Sequence, residues 1–249
     1  MPYLMGGFPD LEASLRIGRA YAERGADLVE LGVPFSDPLA DGPVIHAAGT
    51  AALEAGATVA GVIEVARGLA VEVPVVVMCY ANQILARGLE RFLDMLSGAS
   101  VSGLIVPDLP LEESEAALEA ADARGLALVP LAAPTTPEAR LERIGARARG
   151  FLYLVSLTGT TGERSSIERS LPALIERVRT HTEVPVAVGF GIGTPEQAQS
   201  VAEAGADGVI IGSRLVRAAA DAEEPAEAAG ALVGEFADAL TRRPASPTA

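Results

Sequence analysis

The chain has 249 residues, is 49% hydrophobic but only 4% aromatic without a tryptophan, and carries a formal net charge of −14. That charge excludes a nucleic-acid or anionic-membrane surface, and no apolar run approaches the ~20 residues needed to span a bilayer. All 19 basic residues are arginine, so the chain cannot form a lysine imine, hold pyridoxal phosphate through one, or supply a Walker lysine. A single cysteine excludes an internal disulfide, two distant histidines do not build a metal site, and no secretory start is visible; a cytoplasmic protein is expected.

In chain order, short apolar runs alternate with longer Ala/Glu/Arg-rich segments of helical period. The strand candidates are Pro2 to Gly6, Ala26 to Val33, Val73 to Tyr80, Val101 to Asp108, Leu126 to Ala133, Phe151 to Ser156, Val184 to Ile192 and Gly208 to Gly212. Continuous apolar strands imply burial on both faces, as in a parallel sheet. Helix starts are marked by Thr194-Pro195-Glu196-Gln197, with an N-cap Thr, Pro at the first position and a capping-box Gln, and by Thr136-Pro137-Glu138, which repeats the first two signals. Eight such units predict a single (β/α)8 TIM barrel of the α/β class over residues 1–241, with a frayed tail over 242–249; a doubly wound open sheet is the alternative.

In such a barrel the working face is formed by the loops after the strands. The second strand candidate and its loop contain "ELGVPFSDPLADGP". Glu30, placed late in that strand, is a carboxylate in an apolar run. It is either a structural ion pair with arginine or an acid/base whose proton is held by apolar walls. Asp37 and Asp41 sit in Asp-Pro and Asp-Gly steps that also serve as ordinary turns, and Asp41 is the one favoured for function. Asp108 either reaches the mouth or caps the helix after Pro110.

Gly189-Phe190-Gly191 ends the seventh strand, and Gly212-Ser213 ends the eighth where a helix begins. Both are tight turns, and together they offer backbone N–H groups to a phosphate. Leu157 to Ser166, "LTGTTGERSS", reads as a mobile lid or a plain surface loop. Tyr153 lines the cavity or fills the core, Cys79 is a small apolar filler, and His46 has no assigned role.

These stretches, with "MCYAN", "VPDLP", "YLVSLTGTTG", "GFGI" and "GADGVIIGS", occur in order from Pro2 to about Leu240, and the chain resembles the tryptophan synthase alpha family. The resemblance implies a lyase of tryptophan biosynthesis that splits indole-3-glycerol phosphate into indole and glyceraldehyde 3-phosphate. Glu30 matches the acid/base. Asp41 matches the acid that stabilises charge at the indole N–H. Tyr3 and Tyr153 match residues of the substrate pocket, and Thr161 matches the lid threonine. Gly162, Phe190, Gly191, Gly212 and Ser213 match the phosphate site.

It further implies a beta-subunit partner in an alpha2beta2 heterotetramer, facing Asp37, with no cofactor on this chain and pyridoxal phosphate on the partner. A free-standing lyase and a weakly catalytic activator of the beta subunit are the alternatives. Family members carry a helix before the first strand, and this chain is expected to lack most of it.

Overall fold

The computed structural model describes residues 1–155, 164–189 and 191–241, without the side chains of residues 164–170. The strands are β1 (Tyr3–Met5), β2 (Val29–Gly32), β3 (Val75–Met78), β4 (Gly103–Ile105), β5 (Ala127–Leu128), β6 (Leu131–Ala132), β7 (Leu152–Val155), β8 (Val186–Gly189) and β9 (Gly208–Ile210). All pair in parallel, β1 through β5 in one run and β6 through β9 in another. The ends meet at a parallel bridge between Pro2 and Ile211, so this is a TIM barrel and not an open sheet.

The fifth predicted strand is divided into β5 and β6. Pro130 has no N–H to give to a ladder, and it stands where the pairing changes sides. Before it, Val129 donates to the Leu104 carbonyl; after it, β6 pairs with β7, and the Pro130 carbonyl accepts from Tyr153. The other strands are the predicted runs trimmed at their ends. Because β2 begins at Val29, Glu30 lies near its start and at mid-depth in the barrel, not late in the strand as the sequence implied.

The helices are α1 (Leu11–Glu23), α2 (Pro43–Glu54), α3 (Val59–Leu69), α4 (Ala81–Leu85), α5 (Leu89–Gly98), α6 (Glu115–Asp122), α7 (Glu138–Arg147), α8 (Arg164–Arg179), α9 (Pro195–Glu203), α10 (Ser213–Asp221) and α11 (Pro225–Thr241). The capping box at Thr194 and Gln197 forms as expected. Thr136 does not cap α7: its hydroxyl accepts from Ala133 N at 2.9 Å inside the preceding turn, and Pro137 takes the cap position.

Alternation along the strands divides the core. Outward residues such as Leu4, Leu31, Val77 and Leu104 pack under the helices. Inward residues Val76, Ile105, Val129, Phe151, Ala187 and Ile210 fill the barrel. Among the described residues no single helix is long and apolar enough to cross a membrane.

Candidate active site

A cavity of about 590 Å³ opens at the C-terminal ends of the strands. Its floor holds Tyr3, Glu30, Met78, Ile105, Leu131 and Tyr153, and its rim holds Asp41, Gly191, Gly212, Ser213, Arg214 and Arg217. The fold thus brings together every predicted site residue that falls among the described ones. Thr161, Gly162, Phe190 and the lid segment up to Glu163 lie outside the described residues, as does the tail from Arg242. Residues 164–166 of the predicted lid open α8.

Glu30 stands between Tyr3 and Val76 in the ladder and is 3% exposed. Burial pushes its carboxyl up from 4.5 to about 8; the chain's amino group opposes the rise, and the charge of Asp41 adds to it. None of the ion pairs among the described residues involves Glu30, so the structural pairing with an arginine is not what places this carboxylate in the strand. Its surroundings hold a proton on it at neutral pH.

The two tyrosines need room beside it, and glycine supplies that room. A Cβ on Gly32 would overlap the Tyr3 hydroxyl, and one on Gly189 would lie 2.5 Å from the Tyr153 hydroxyl. In both cases the strand after the tyrosine carries a bare backbone at the position the ring crosses. Burial, then the charges of Asp41 and Glu30, raises the Tyr3 phenol well above its usual range. Burial and Glu30 do the same to Tyr153, so both rings remain neutral.

Asp41 is held from a neighbouring loop. The Tyr80 hydroxyl donates to its Oδ1 at 2.7 Å and accepts from Ala40 N at 3.1 Å. Partial burial raises the Asp41 carboxyl, while the Tyr80 hydrogen bond and nearby His46 pull it back. The residue after Tyr80 begins α4, and Gln83 in that helix donates to the Pro34 carbonyl at 2.9 Å. The sequence marked "MCYAN" without giving Tyr80 a task; its partner is 39 positions away in the chain. Asp108 neither faces the cavity nor caps the helix after Pro110, but accepts from Ala81 N at 2.8 Å, tying the loop after β4 to the start of α4.

Asp37 is exposed and accepts from the Ser36 hydroxyl. Cys79 is buried as a filler, its thiol pushed up by burial. Gly191 needs its glycine, with φ of 79°. Gly212 caps α10 at φ −111°, and its missing Cβ would make only ordinary contacts with Tyr3 and Ile45. Among the described residues no group of three or more His, Cys, Asp or Glu side chains is disposed to hold a metal ion.

The site therefore combines a proton-bearing carboxyl on an apolar floor, a second carboxyl on the rim, and a helix start beside two glycine turns. Such a set suits acid/base work on an apolar ring that carries an anionic tail. Known proteins agree with this reading. A family profile described as tryptophan synthase alpha chain matches residues 1–241. The tryptophan synthase alpha chain of Prochlorococcus marinus (strain MIT 9313) is 49% identical over 96% of this chain and 88% of its own length. That of Synechococcus elongatus is 46% identical, covering 98% and 92%. Among solved structures, the alpha subunit from Legionella pneumophila str. Paris superposes with a TM-score of 0.88 at 36% identity, over 96% of this chain and 91% of that one. Tryptophan synthase from M. tuberculosis in an aminoacrylate-bound form gives 0.87 at 35% identity, covering 96% and 91%. With a match along nearly its whole length and relatives close to half identical, this chain belongs to the tryptophan synthase alpha chain family.

Proposed function

We propose that Glu30 and Asp41 perform the chemistry of the family's lyase reaction, the cleavage of indole-3-glycerol phosphate to indole and glyceraldehyde 3-phosphate. The observation that carries the assignment is the placement of Glu30, 3% exposed among apolar side chains on the floor of the same cavity that Asp41 lines, where burial pushes its carboxyl up to about 8. An indole is its own electron sink once its C3 is protonated, so no imine is needed. The Glu30 carboxyl gives its proton to C3, and the carboxylate it becomes takes the proton of the adjacent side-chain hydroxyl. The carbon–carbon bond then breaks, its electron pair returns to the ring, and the side chain leaves as the aldehyde.

Positive charge passes through the indole nitrogen during this sequence. Asp41, fixed by Tyr80, accepts from the N–H and stabilises that charge where it develops. The apolar walls Ile105, Leu131 and Ile210 hold the ring and exclude water, and Tyr3 and Tyr153 border it. The phosphate is received at the rim by the backbone of Gly191, Gly212 and Ser213 and the start of α10. By the family match, Gly162, Phe190 and Thr161 complete this end.

Indole passes to a beta subunit that carries the pyridoxal phosphate, and the two chains assemble as alpha2beta2. Supporting this, the loop that ends in Asp41 presents Leu39 at 84% exposure, and the neighbouring α4 presents Leu85 at 73%. A partner covering them would bear on the same loop that Tyr80 ties to Asp41.

The deciding assay is indole release from indole-3-glycerol phosphate, with and without stoichiometric beta subunit. The expected outcome is slow release by the chain alone and at least a tenfold increase in the complex, about 1.4 kcal/mol of barrier. Loss of release in Glu30→Gln is the second expectation. Formation of the complex with a flat rate would refute the coupling and favour a free-standing lyase; turnover retained in Glu30→Gln would refute the assignment of Glu30.

A further inference from the structure

We infer that Arg214 and Arg217 form a cationic clamp that captures the phosphate of the substrate, adding charge to a subsite otherwise built from neutral backbone groups. The inference rests on the lyase reading above and concerns the same cavity. Both residues line its rim, from the first two turns of α10. They are three positions apart, so they project from one face of the helix. Both are exposed, and among the described residues no carboxylate pairs with either. Some other arginines are neutralised locally: Arg124 meets Glu90 and Asp94, and Arg140 and Arg143 share Glu112.

Their position runs against helix electrostatics. The first turn of a helix favours acids and disfavours cations. Helices α1, α5, α6, α7, α9 and α11 each place a glutamate there; α10, like α2, α3, α4 and α8, has no acid in its first turn, and it starts Ser213-Arg214. An anion at the rim would reverse this penalty by satisfying the helix start and both guanidinium groups together. The need for such charge is plain in this protein. The net charge is −14, and the Asp41 carboxyl faces the same cavity, so a phosphate dianion approaches against an unfavourable field. Guanidinium forks match phosphate oxygens and concentrate positive potential where the ester enters.

The test uses the full chain and two double variants, R214Q/R217Q and R214K/R217K. Affinity for glycerol 3-phosphate is measured by calorimetry, and KM and kcat for indole-3-glycerol phosphate by indole release, each at about 20 mM and about 300 mM salt. In the wild type, salt weakens both affinity and KM. R214Q/R217Q is expected to raise KM and the glycerol phosphate Kd about tenfold at low salt and to lose most of the salt response, with kcat changed less than KM. R214K/R217K, which keeps the charge, is expected to recover the salt response. Unchanged Kd and salt dependence in R214Q/R217Q overturn the inference, as does a wild type that binds no phosphate ester. Arginine-dependent binding of glycerol phosphate without indole release would instead uphold the clamp and overturn the lyase reading.

Discussion

Replacing Glu30 with glutamine should make the protein more stable while removing its activity, and the gain should grow with pH. Glutamine matches the protonated acid in shape but has no proton to lose. In the folded chain the Glu30 carboxyl titrates at about 8, against an ordinary 4.5. Unfolding in that window releases a proton, so the stability of the wild type falls as pH rises from 4.5 and the loss is complete above about 8. Each pH unit is worth about 1.4 kcal/mol, so Glu30 costs about 1 kcal/mol at pH 5, about 3 at pH 7 and about 5 at pH 8.5. Titrating groups remote from Glu30 are common to both proteins and cancel in the difference; the amino terminus and Asp41, which are coupled to Glu30, add a smaller contribution. Urea unfolding of wild type and Glu30→Gln at these three pH values measures it directly. A stability difference that stays flat across the series, or a variant less stable than wild type at pH 8.5, would refute a buried, proton-bearing Glu30. The same titration predicts that wild-type kcat declines above about pH 8, because C3 then meets a carboxylate in place of an acid.

Asp41→Asn should lower kcat more than it raises KM, since its charge acts on the transition state; a large KM rise at constant kcat would contradict this. Tyr80→Phe removes the hydroxyl that lowers the Asp41 carboxyl, so the acid limb of the kcat profile should move to higher pH, and an unmoved limb would detach Tyr80 from Asp41. Gly32→Ala drives a methyl into Tyr3 and should cost about 1–3 kcal/mol in urea unfolding. Gly212→Val meets no such clash at its Cβ and should fold, yet it adds bulk at the proposed phosphate subsite, so KM should rise strongly; unchanged affinity for glycerol phosphate would place the phosphate elsewhere.

The barrel was legible because its strands advertise burial on both faces. "VPVVVMCY" and "FLYLVS" have no polar face to give to water, and only a covered parallel sheet accommodates several such runs. Glu30 was legible for the converse reason, as a single carboxylate in an apolar run. What failed to show depended on partners far away in the chain. Pro130 was visible in "LALVPLAA", but its effect depends on which neighbour each half of the strand meets. Thr136 carried a correct capping signal and lost it to the turn at Ala133. Tyr80 and Asp108 were present in recognisable stretches, yet their bonds to Asp41 and Ala81 exist only once the loops after β2, β3 and β4 lie side by side.

Those same loops explain how one fold can hold two carboxyls in unlike surroundings within one cavity. Glu30 is fixed by the ladder itself, on a floor where the neighbouring inward residues are apolar, so desolvation governs its proton. Asp41 is placed by hydrogen bonds from another loop, and the donor that positions it also favours its charged form. Two acids in equivalent surroundings would compete for one proton; surroundings this unlike suit the two proposed roles, proton donor to carbon and stabiliser of a developing cation. The loop bearing Asp41 is also tied along its length, by Gln83 at Pro34 and by Tyr80 at Ala40 and Asp41, while Leu39 projects into solvent. Force applied at Leu39 therefore acts on a segment anchored through Tyr80, and Asp41 is the cavity side chain it can move. Glu30 is fixed instead by the ladder, in β2 between β1 and β3, and senses that loop only through the charge of Asp41.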